Sequence, residues 1–159
     1  MATTLTLDEL RERIGIDREP TAWIRIDQGR IDRFADATGD HQLIHVDPDR
    51  AAATPFGSTI AHGYLTLSLL PHLVAESALL PTGTVMGINY GLNRVRFLQP
   101  VPVDSEVRAR SRLLDVREKG SGRVLLTSEV AVEIRGQERP ALLAETLAMF
   151  VVADSEETA

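Results

Sequence analysis

The feature that most constrains the fold is one long apolar segment, YLTLSLLPHLVAESAL, which spans residues 64–79. Nearly every side of this segment is apolar, which predicts a helix covered on most sides. Pro71 lies inside it and lacks an N–H, so we expect a kink near the middle of the helix. Such a helix needs a partner that can enclose it.

The chain after this helix consists almost entirely of predicted strands. Residues 84–97 contain two glycines and predict a bent or bulged strand. Alternating apolar and polar residues predict further strands over 106–117, 123–135 and 141–152, with turns between them. A lone apolar helix followed by four long strands is buried only if the sheet curls around it. The sequence therefore predicts an α+β fold.

The chain before the apolar helix begins with a predicted short helix and a strand. Thr6 followed by Glu9 has the form of a capping box, so a helix is expected to start there. Residues 1–4 are expected to form a loose terminus. Residues 21–26 alternate between apolar and polar side chains and predict a first strand.

Two more helices are predicted around a central loop. Asp27 can cap a helix that runs to about residue 37 and ends at Gly39, because glycine adopts the left-handed C′ conformation at no steric cost. Residues 40–46 then predict a loop. Asp47 followed by Pro48 predicts the start of another short helix.

Length, charge and composition exclude several classes of protein. The 159 residues predict one domain over residues 1–159 with a polar tail at its end. The chain has no cysteine, which excludes disulfides and thiolate sites. A net charge of −6, dispersed basic residues and few aromatic residues argue against a nucleic-acid partner. We expect no secretory signal, because the first residues are polar and charged, and no apolar run reaches the roughly 18 residues of a membrane span. We therefore expect no membrane partner and a cytoplasmic location.

Asp40 and His45 are the first candidates for catalysis. Four residues separate them, and of these only His41 is ionisable. A carboxylate accepts protons and an imidazole titrates near neutral pH, so such a pair can move a proton. In the alternative interpretation, Asp40 caps a turn and His45 fills a gap. Composition alone leaves both open, and we expect His41 to face solvent.

Gly63 directly precedes the apolar segment and opens the predicted helix. Free N–H groups at a helix N-terminus favour a developing negative charge, and glycine lets a substrate carbonyl approach the backbone closely. Such a site would suit an enolate formed from a thioester, although a tight turn into the helix also explains this glycine. His62 is either a second acid–base group or a packed residue that orients the turn. His72 fits a core or interface histidine better than a catalytic one.

Other chemistries have less support in the sequence. Four residues of the loop are potential metal ligands: Asp40, His41, His45 and Asp47. Their spacing lacks the helical His-Glu-x-x-His pattern, so no metal is predicted. No nucleophile elbow and no phosphate-binding glycine loop is present, so no cofactor is predicted either. Arg94 and Arg96 share one strand face, where they could contact the phosphates of a nucleotide-bearing substrate or pair with acidic residues. A structural ion pair is expected for one of them.

Two segments of the chain resemble one known family. ATGDHQLIHVDPDRA with the later PFGSTIAHG resembles the hydratase motif of MaoC-like (R)-specific enoyl-CoA hydratases, in particular the NodN-like branch. NYGLNRVRFLQPVPVDSEVR also resembles that branch. The resemblance covers roughly residues 24–152. It implies a hot-dog fold, in which a curved antiparallel sheet wraps a long helix, and a homodimer that admits acyl-CoA near the subunit interface.

The resemblance also assigns roles to individual residues. It places the catalytic pair on Asp40 and His45 and the oxyanion glycine on Gly63. The more widespread motif is Gly-Asp-x-Asn-Pro-x-His, whereas this chain has Gln42 and Leu43 in place of Asn and Pro. Gln42 keeps an amide that can support the loop, one methylene further out. The loss of proline removes a fixed φ angle.

The function expected is that of a hydro-lyase in fatty-acid metabolism. It would interconvert a trans-2-enoyl-CoA and an (R)-3-hydroxyacyl-CoA without a cofactor. Asp40 would activate a water, His45 would hold that water and deliver the proton to C2, and the Gly63 N–H would stabilise the thioester oxygen. Residues of the apolar helix would set the acyl tunnel, such as Leu67, Leu70 and Val74.

Two alternatives to this function stay open at the level of sequence. One is a hot-dog acyl-CoA thioesterase, which would need a carboxylate near the thioester carbonyl. Glu76 is the only acidic residue of the apolar helix. The other alternative is a non-catalytic acyl-CoA-binding subunit that lends structure to an active partner.

Overall fold

A computed structural model describes residues 2–153 of the chain. The predicted polar tail lies outside the described residues. In chain order the elements are β1 Thr3–Leu5, α1 Leu7–Glu12, β2 Ile24–Arg25, α2 Gln28–Thr38, α3 Leu43–Val46, α4 Pro48–Ala52, α5 Gly63–Ser68, α6 Leu70–Val74, β3 Leu79–Pro81, β4 Thr84–Phe97, β5 Glu106–Glu118, β6 Arg123–Ile134 and β7 Leu142–Val152. None of the helices in this part of the chain is long and apolar enough to cross a membrane.

The main sheet has five antiparallel strands in the order β2-β5-β6-β7-β4. Its four long strands begin and end within about one residue of the predicted bounds. β4 is an edge strand, and its pairing with β7 shifts register at three points, which confirms the predicted bulges. The α+β fold predicted from the alternating pattern is therefore confirmed.

The helical segment predicted over residues 64–79 is present, but it is divided into shorter helices. The helix is broken at Leu69 into α5 and α6, followed by a 3₁₀ turn over Ala75–Ser77. Pro71 lies in the first turn of α6, where its missing N–H leaves no hydrogen bond unmade. The kink expected near the middle of the segment is thus confirmed as a break at Leu69, because residue 71 cannot donate to the preceding turn.

The inner face of the sheet packs against α5 and α6. Leu65, Leu69, Leu70 and Leu73 are buried against apolar residues of β5, β6 and β7. The opposite face of this helical segment is open in the single chain, where Tyr64 is 69% exposed. The helix is therefore less enclosed than predicted.

The N-terminal residues are more ordered than the sequence indicated. Thr3–Leu5 forms β1, which pairs in parallel with β3. The prediction of a loose terminus is therefore wrong for the described residues, because three residue pairs between β1 and β3 hold this segment in place. The predicted capping box of Thr6 and Glu9 is confirmed at the start of α1. The strand expected over residues 21–26 is reduced to Ile24–Arg25, since only these two residues pair with β5.

Candidate active site

Asp40 is positioned by the end of α2. Asp27 caps the start of this helix with its side chain, and Gly39 ends it in the left-handed conformation with φ 77°. The Gly39 N–H donates to the carbonyl of Ala35. Both predicted helix ends are confirmed, so Asp40 follows directly after a helix terminus fixed by local chemistry.

His45 lies on a short helix that the sequence did not predict. The segment from 40 to 46 was expected to be loop, but α3 forms at its end because the backbone carbonyl of Gln42 accepts from the N–H of His45 and of Val46. The Gln42 side chain is exposed and makes no capping hydrogen bond. Support for this loop therefore comes from the Gln42 backbone, and a role for its amide stays a prediction.

The His45 imidazole is buried and has a defined tautomer. Its Nδ1 lies 2.7 Å from the carbonyl oxygen of Ile60. A carbonyl only accepts, so Nδ1 carries the proton and Nε2 of the neutral ring holds a free lone pair. Burial lowers the pKa of His45. The hydrogen bond to Ile60 raises this pKa, the neighbouring His62 lowers it, and the Asp40 carboxylate raises it. The net shift is downward, which favours the neutral ring.

Gln28 ties the His45 segment to the rest of the site. Its amide nitrogen donates to the His45 backbone carbonyl (2.7 Å) and to the Asp32 carboxylate (2.8 Å). Its amide oxygen accepts from the hydroxyl of Thr59 at 2.5 Å. Sequence reasoning missed Gln28, and no local signal marks it, because its partners lie on other segments.

His62 contacts both members of the predicted pair. Its ring stacks on His45 with centroids 3.7 Å apart and 25° between the planes. Its Nε2–H donates to the backbone carbonyl of Asp40 at 2.9 Å. The ring is only 2% exposed, and Nδ1 has no hydrogen-bond partner among residues 2–153. The sequence left two interpretations of His62 open, a second acid–base group and a packed residue that orients the turn. These contacts agree with the packed residue.

Gly63 begins α5, as predicted, and shares a pocket with His45. The pocket has a volume of about 380 Å³ and is also lined by Thr66 and Phe97. A Cβ at position 63 would meet the Phe97 ring at 3.1 Å, so a side chain there would collide with it. The N–H groups of the first turn have no helical partner, as at any helix start.

The remaining candidates lie apart from this cluster. His41 is exposed, as expected, and the hydrogen bond that its Nε2–H donates to the Asp36 carboxylate raises its pKa. His72 is exposed in the single chain, so the core interpretation is wrong. Neither Arg94 nor Arg96 forms an ion pair within residues 2–153, which contradicts the pairing expected for one of them.

The cluster suits proton transfer better than metal binding. One carboxylate oxygen of Asp40 and one ring nitrogen each of His45 and His62 lie within 4.8 Å of one another. A metal binds an imidazole along the lone pair in the ring plane. Stacked rings point their lone pairs along nearly parallel planes, so the two histidines do not converge well on one ion. His41 and Asp47, named as possible ligands from the sequence, are not part of the group.

Helices enclosed on one side by a curved five-stranded antiparallel sheet, with an Asp–His pair beside the helix start, define a hot-dog protein. The chain belongs to the MaoC-like domain family, whose model matches residues 9–134. This confirms the resemblance found in the loop motif.

Relatives and solved structures agree with this family. The 3-hydroxyacyl-thioester dehydratase Z of Mycobacterium tuberculosis (strain ATCC 25618 / H37Rv) is 48% identical over 151 residues, which cover 95% of this chain and 99% of that protein. Nodulation protein N of Rhizobium leguminosarum bv. viciae is 47% identical over 147 residues, covering 92% of this chain and 91% of that protein. The (R)-hydratase of A. caviae involved in PHA biosynthesis is 25% identical, with a TM-score of 0.66 over 85% of this chain and 94% of that one.

Proposed function

We propose that this protein is an (R)-specific enoyl-thioester hydratase that interconverts a trans-2-enoyl-CoA and an (R)-3-hydroxyacyl-CoA. The proposal rests on one observation above all, the placement of Asp40 beside His45. Their side-chain polar atoms lie within 4.8 Å of each other. One water bridges two acceptors about 4.5 to 5 Å apart when both hydrogen bonds have ordinary lengths. The names of the dehydratase and hydratase relatives support the same reaction class.

The acid–base pair provides for the movement of one proton. The water donates one O–H group to the Asp40 carboxylate and the other to the free Nε2 of His45. As the C3–O bond forms, the Asp40 carboxylate polarises the water and one water proton passes to Nε2 of His45. It then returns to C2 from His45, so the elements of one water are added and the pair ends as it began. A lowered pKa keeps His45 neutral and able to accept at neutral pH.

Gly63 supplies the third part of the proposed site. Attack at C3 moves charge onto the thioester oxygen, and the backbone N–H of Gly63 stabilises that oxygen. The thioester oxygen can approach the Gly63 N–H closely, because glycine has no Cβ in the space in front of Phe97. His45 and Gly63 line the same pocket, as a substrate in contact with both requires.

The acyl chain would extend from this site along α5 and α6. A second pocket of about 540 Å³ lies further along these helices and contains all three residues predicted for the tunnel, Leu67, Leu70 and Val74. Residues of β4 and β7 form its other wall. This volume suits an extended apolar chain.

The exposed edge of β4 supports a homodimer. β4 pairs on one side only, with β7, and several of its large apolar side chains are exposed: Val85, Met86, Ile88, Tyr90 and Leu92. An unpaired edge with exposed apolar residues favours association with another strand or surface. A second copy of the same chain would cover this edge and the open face of α5.

A single substitution tests the function. Asp40→Asn should keep the fold and lower hydration of crotonyl-CoA by roughly 100- to 10,000-fold, the usual contribution of a general base. Loss of enoyl-thioester absorbance measures the reaction, and circular dichroism checks the fold. Activity equal to that of the unaltered protein would refute the assignment. Release of free CoA thiol would instead indicate a thioesterase, although exposed Glu76 does not line the pocket that contains His45.

A further inference from the structure

A row of hydroxyl side chains crosses the apolar inner face of the sheet. On β6 the side chains of Leu126 and Val130 are buried, but Ser128 stands between them. Each adjacent strand also carries a hydroxyl side chain on this face, at or next to the position of Ser128. Ser128 pairs with Thr146 of β7, and Ser111 of β5 pairs with Val130, one step along the same face. We call Ser111, Ser128 and Thr146 the hydroxyl row.

The hydroxyl row divides the interior into two apolar clusters. Val130 belongs to the cluster around α5 and α6, whereas Leu126 belongs to the cluster around α1. The Thr146 hydroxyl donates to the Ser128 carbonyl at 3.2 Å. The hydroxyls of Ser111 and Ser128 make no hydrogen bond within residues 2–153. Both serines line a cavity, so their hydroxyls are available to a ligand that enters it.

Arg18 covers one end of the hydroxyl row. Its backbone N–H donates to the carbonyl of Ser111 at 3.0 Å, which holds the arginine beside β5. Arg18 is partly buried and lines the same cavity of about 110 Å³ as the hydroxyl row. Burial lowers the pKa of Arg18, and the nearby Arg13 lowers it further, but guanidinium stays charged in proteins. No carboxylate pairs with Arg18 among residues 2–153, although Asp17 and Glu19 line a neighbouring pocket together with Arg18.

Three cavities adjoin one another, because each shares lining residues with the next. The large pocket beside α5 and α6 shares Val74, Val130, Thr146 and Ala148 with the cavity of the hydroxyl row. That cavity shares Arg18, Leu79 and Leu113 with an outer pocket of about 390 Å³. The residues from Gly63 to Val74 span roughly 16 Å at the rise of a helix. An acyl chain of that length, running from the pocket of Gly63 along α5 into the large pocket, would end at the cavity of Arg18 and the hydroxyl row.

We propose that Arg18 and the hydroxyl row bind a carboxylate at the far end of the acyl chain, so that the protein favours ω-carboxyacyl thioesters. This inference rests on the proposed hydratase function and names its substrate class. A carboxylate accepts about four hydrogen bonds, which the guanidinium fork and the hydroxyls can donate. A methyl end would leave a half-buried cation without a partner.

The test compares matched substrates and matched variants. Trans-2-enoyl-CoA thioesters of about eight to sixteen carbons, with either a methyl or a carboxylate end, cover the lengths that this channel would accept. We expect the unaltered protein to prefer the carboxylate series at one or more lengths. Arg18→Met should lower kcat/KM for that series by roughly 10- to 100-fold, the effect of losing a hydrogen-bonded charge. The methyl series should change little or improve.

The control is Arg123→Met, which removes an exposed arginine of the β5–β6 hairpin and should leave both series unchanged. Ser128→Ala provides a milder change that should also reduce the carboxylate preference, and it serves if Arg18→Met does not fold. Equal hydration of both series by the unaltered protein and by the variants would overturn this inference while leaving the hydratase function intact. Failure to hydrate either series would overturn the function itself.

Discussion

The imidazoles of His45 and His62 stack with their centroids 3.7 Å apart, and His62 also donates to the backbone carbonyl of Asp40. One buried side chain therefore fixes the relative position of both proposed catalytic residues. His62 acts through Asp40 and His45 rather than on a substrate. One of its ring nitrogens is hydrogen-bonded, the other is buried, and His62 does not line the pocket of His45. Asp40 lies on an otherwise exposed loop, so its position depends strongly on this contact.

Two variants of His62 should separate stacking from hydrogen bonding. His62→Phe keeps a ring against His45 but loses the donor to Asp40, whereas His62→Asn keeps a donor group and loses the ring. Each should lower kcat by roughly 10- to 100-fold with little change in KM, because small displacements of catalytic groups are costly.

The pH profile distinguishes this role from simple packing. His62 lowers the pKa of His45, so its removal should raise that pKa and move the acid limb of kcat to higher pH. The titratable groups that act on His45 are His62 and Asp40, and Asp40 is retained in both variants. A reduced kcat with an unmoved acid limb would show that His62 is merely structural.

Stability should fall as the pH drops below neutrality, because of His45. The pKa of His45 in the folded protein lies below its ordinary value of 6.5, mainly through burial. The unfolded chain therefore binds this proton first, and the free energy of unfolding decreases as the pH falls below about 6.5. Thermal unfolding between neutral and acidic pH measures the effect, and His45→Gln should flatten the slope.

His41 provides the control with the opposite sign. Its pKa is raised by the hydrogen bond to Asp36, so any stabilisation is present at low pH and lost as the pH rises through the folded pKa. The pair is exposed and screened by solvent, so His41→Gln should change the profile little. A loss of acid sensitivity in His41→Gln, but not in His45→Gln, would contradict the prediction.

Gly63→Ala should impair catalysis by a steric route. The added Cβ meets the Phe97 ring at 3.1 Å, so the ring or the helix start must move. We expect a stability loss of about 1 to 3 kcal/mol from overpacking and a kcat roughly 100-fold lower from the displaced N–H. The double variant with Phe97→Leu should regain part of the activity. Failure of the smaller side chain to restore any activity would exclude the collision with Phe97 as the cause.

Substitutions on β4 test the homodimer. Tyr90→Asp places a charge on the exposed edge strand, where the tyrosine is 61% exposed, and should give a monomer by light scattering. Ile16→Asp is the matched control, since Ile16 is 52% exposed but lies before β2. The dimer proposal would fail if the unaltered protein were a monomer or if both variants dissociated equally.

Gln28→Met should lower the stability of the protein by removing hydrogen bonds that support His45. Methionine fills a similar volume but leaves the His45 carbonyl and the Thr59 hydroxyl without their partner. A loss of about 1 to 3 kcal/mol in the free energy of unfolding is expected from these unpaired groups. Denaturant unfolding measures it, and Gln137→Met, at an exposed turn, should have no comparable effect.

The sequence alone determined the features that depend on neighbouring residues. Alternation gave the bounds of the four long strands, since the pleat repeats every two residues. The capping box at Thr6 and the left-handed end at Gly39 were also readable, because each involves contacts within one turn. These local signals were enough to place Asp40 just beyond a helix end. The family resemblance, which the relatives confirm, is the basis for the catalytic role proposed for Asp40.

Only the tertiary structure decided which distant residues meet. His62 reaches Asp40 across 22 positions and Gln28 reaches His45 across 17, and no periodic pattern encodes such pairs. The pairing of β1 with β3 and the position of Arg18 over the hydroxyl row are likewise set by how the sheet curves. Sequence periodicity specifies which face a side chain takes within its own element. The partner across the interior is fixed only when the elements pack together, because that packing is a property of the whole fold.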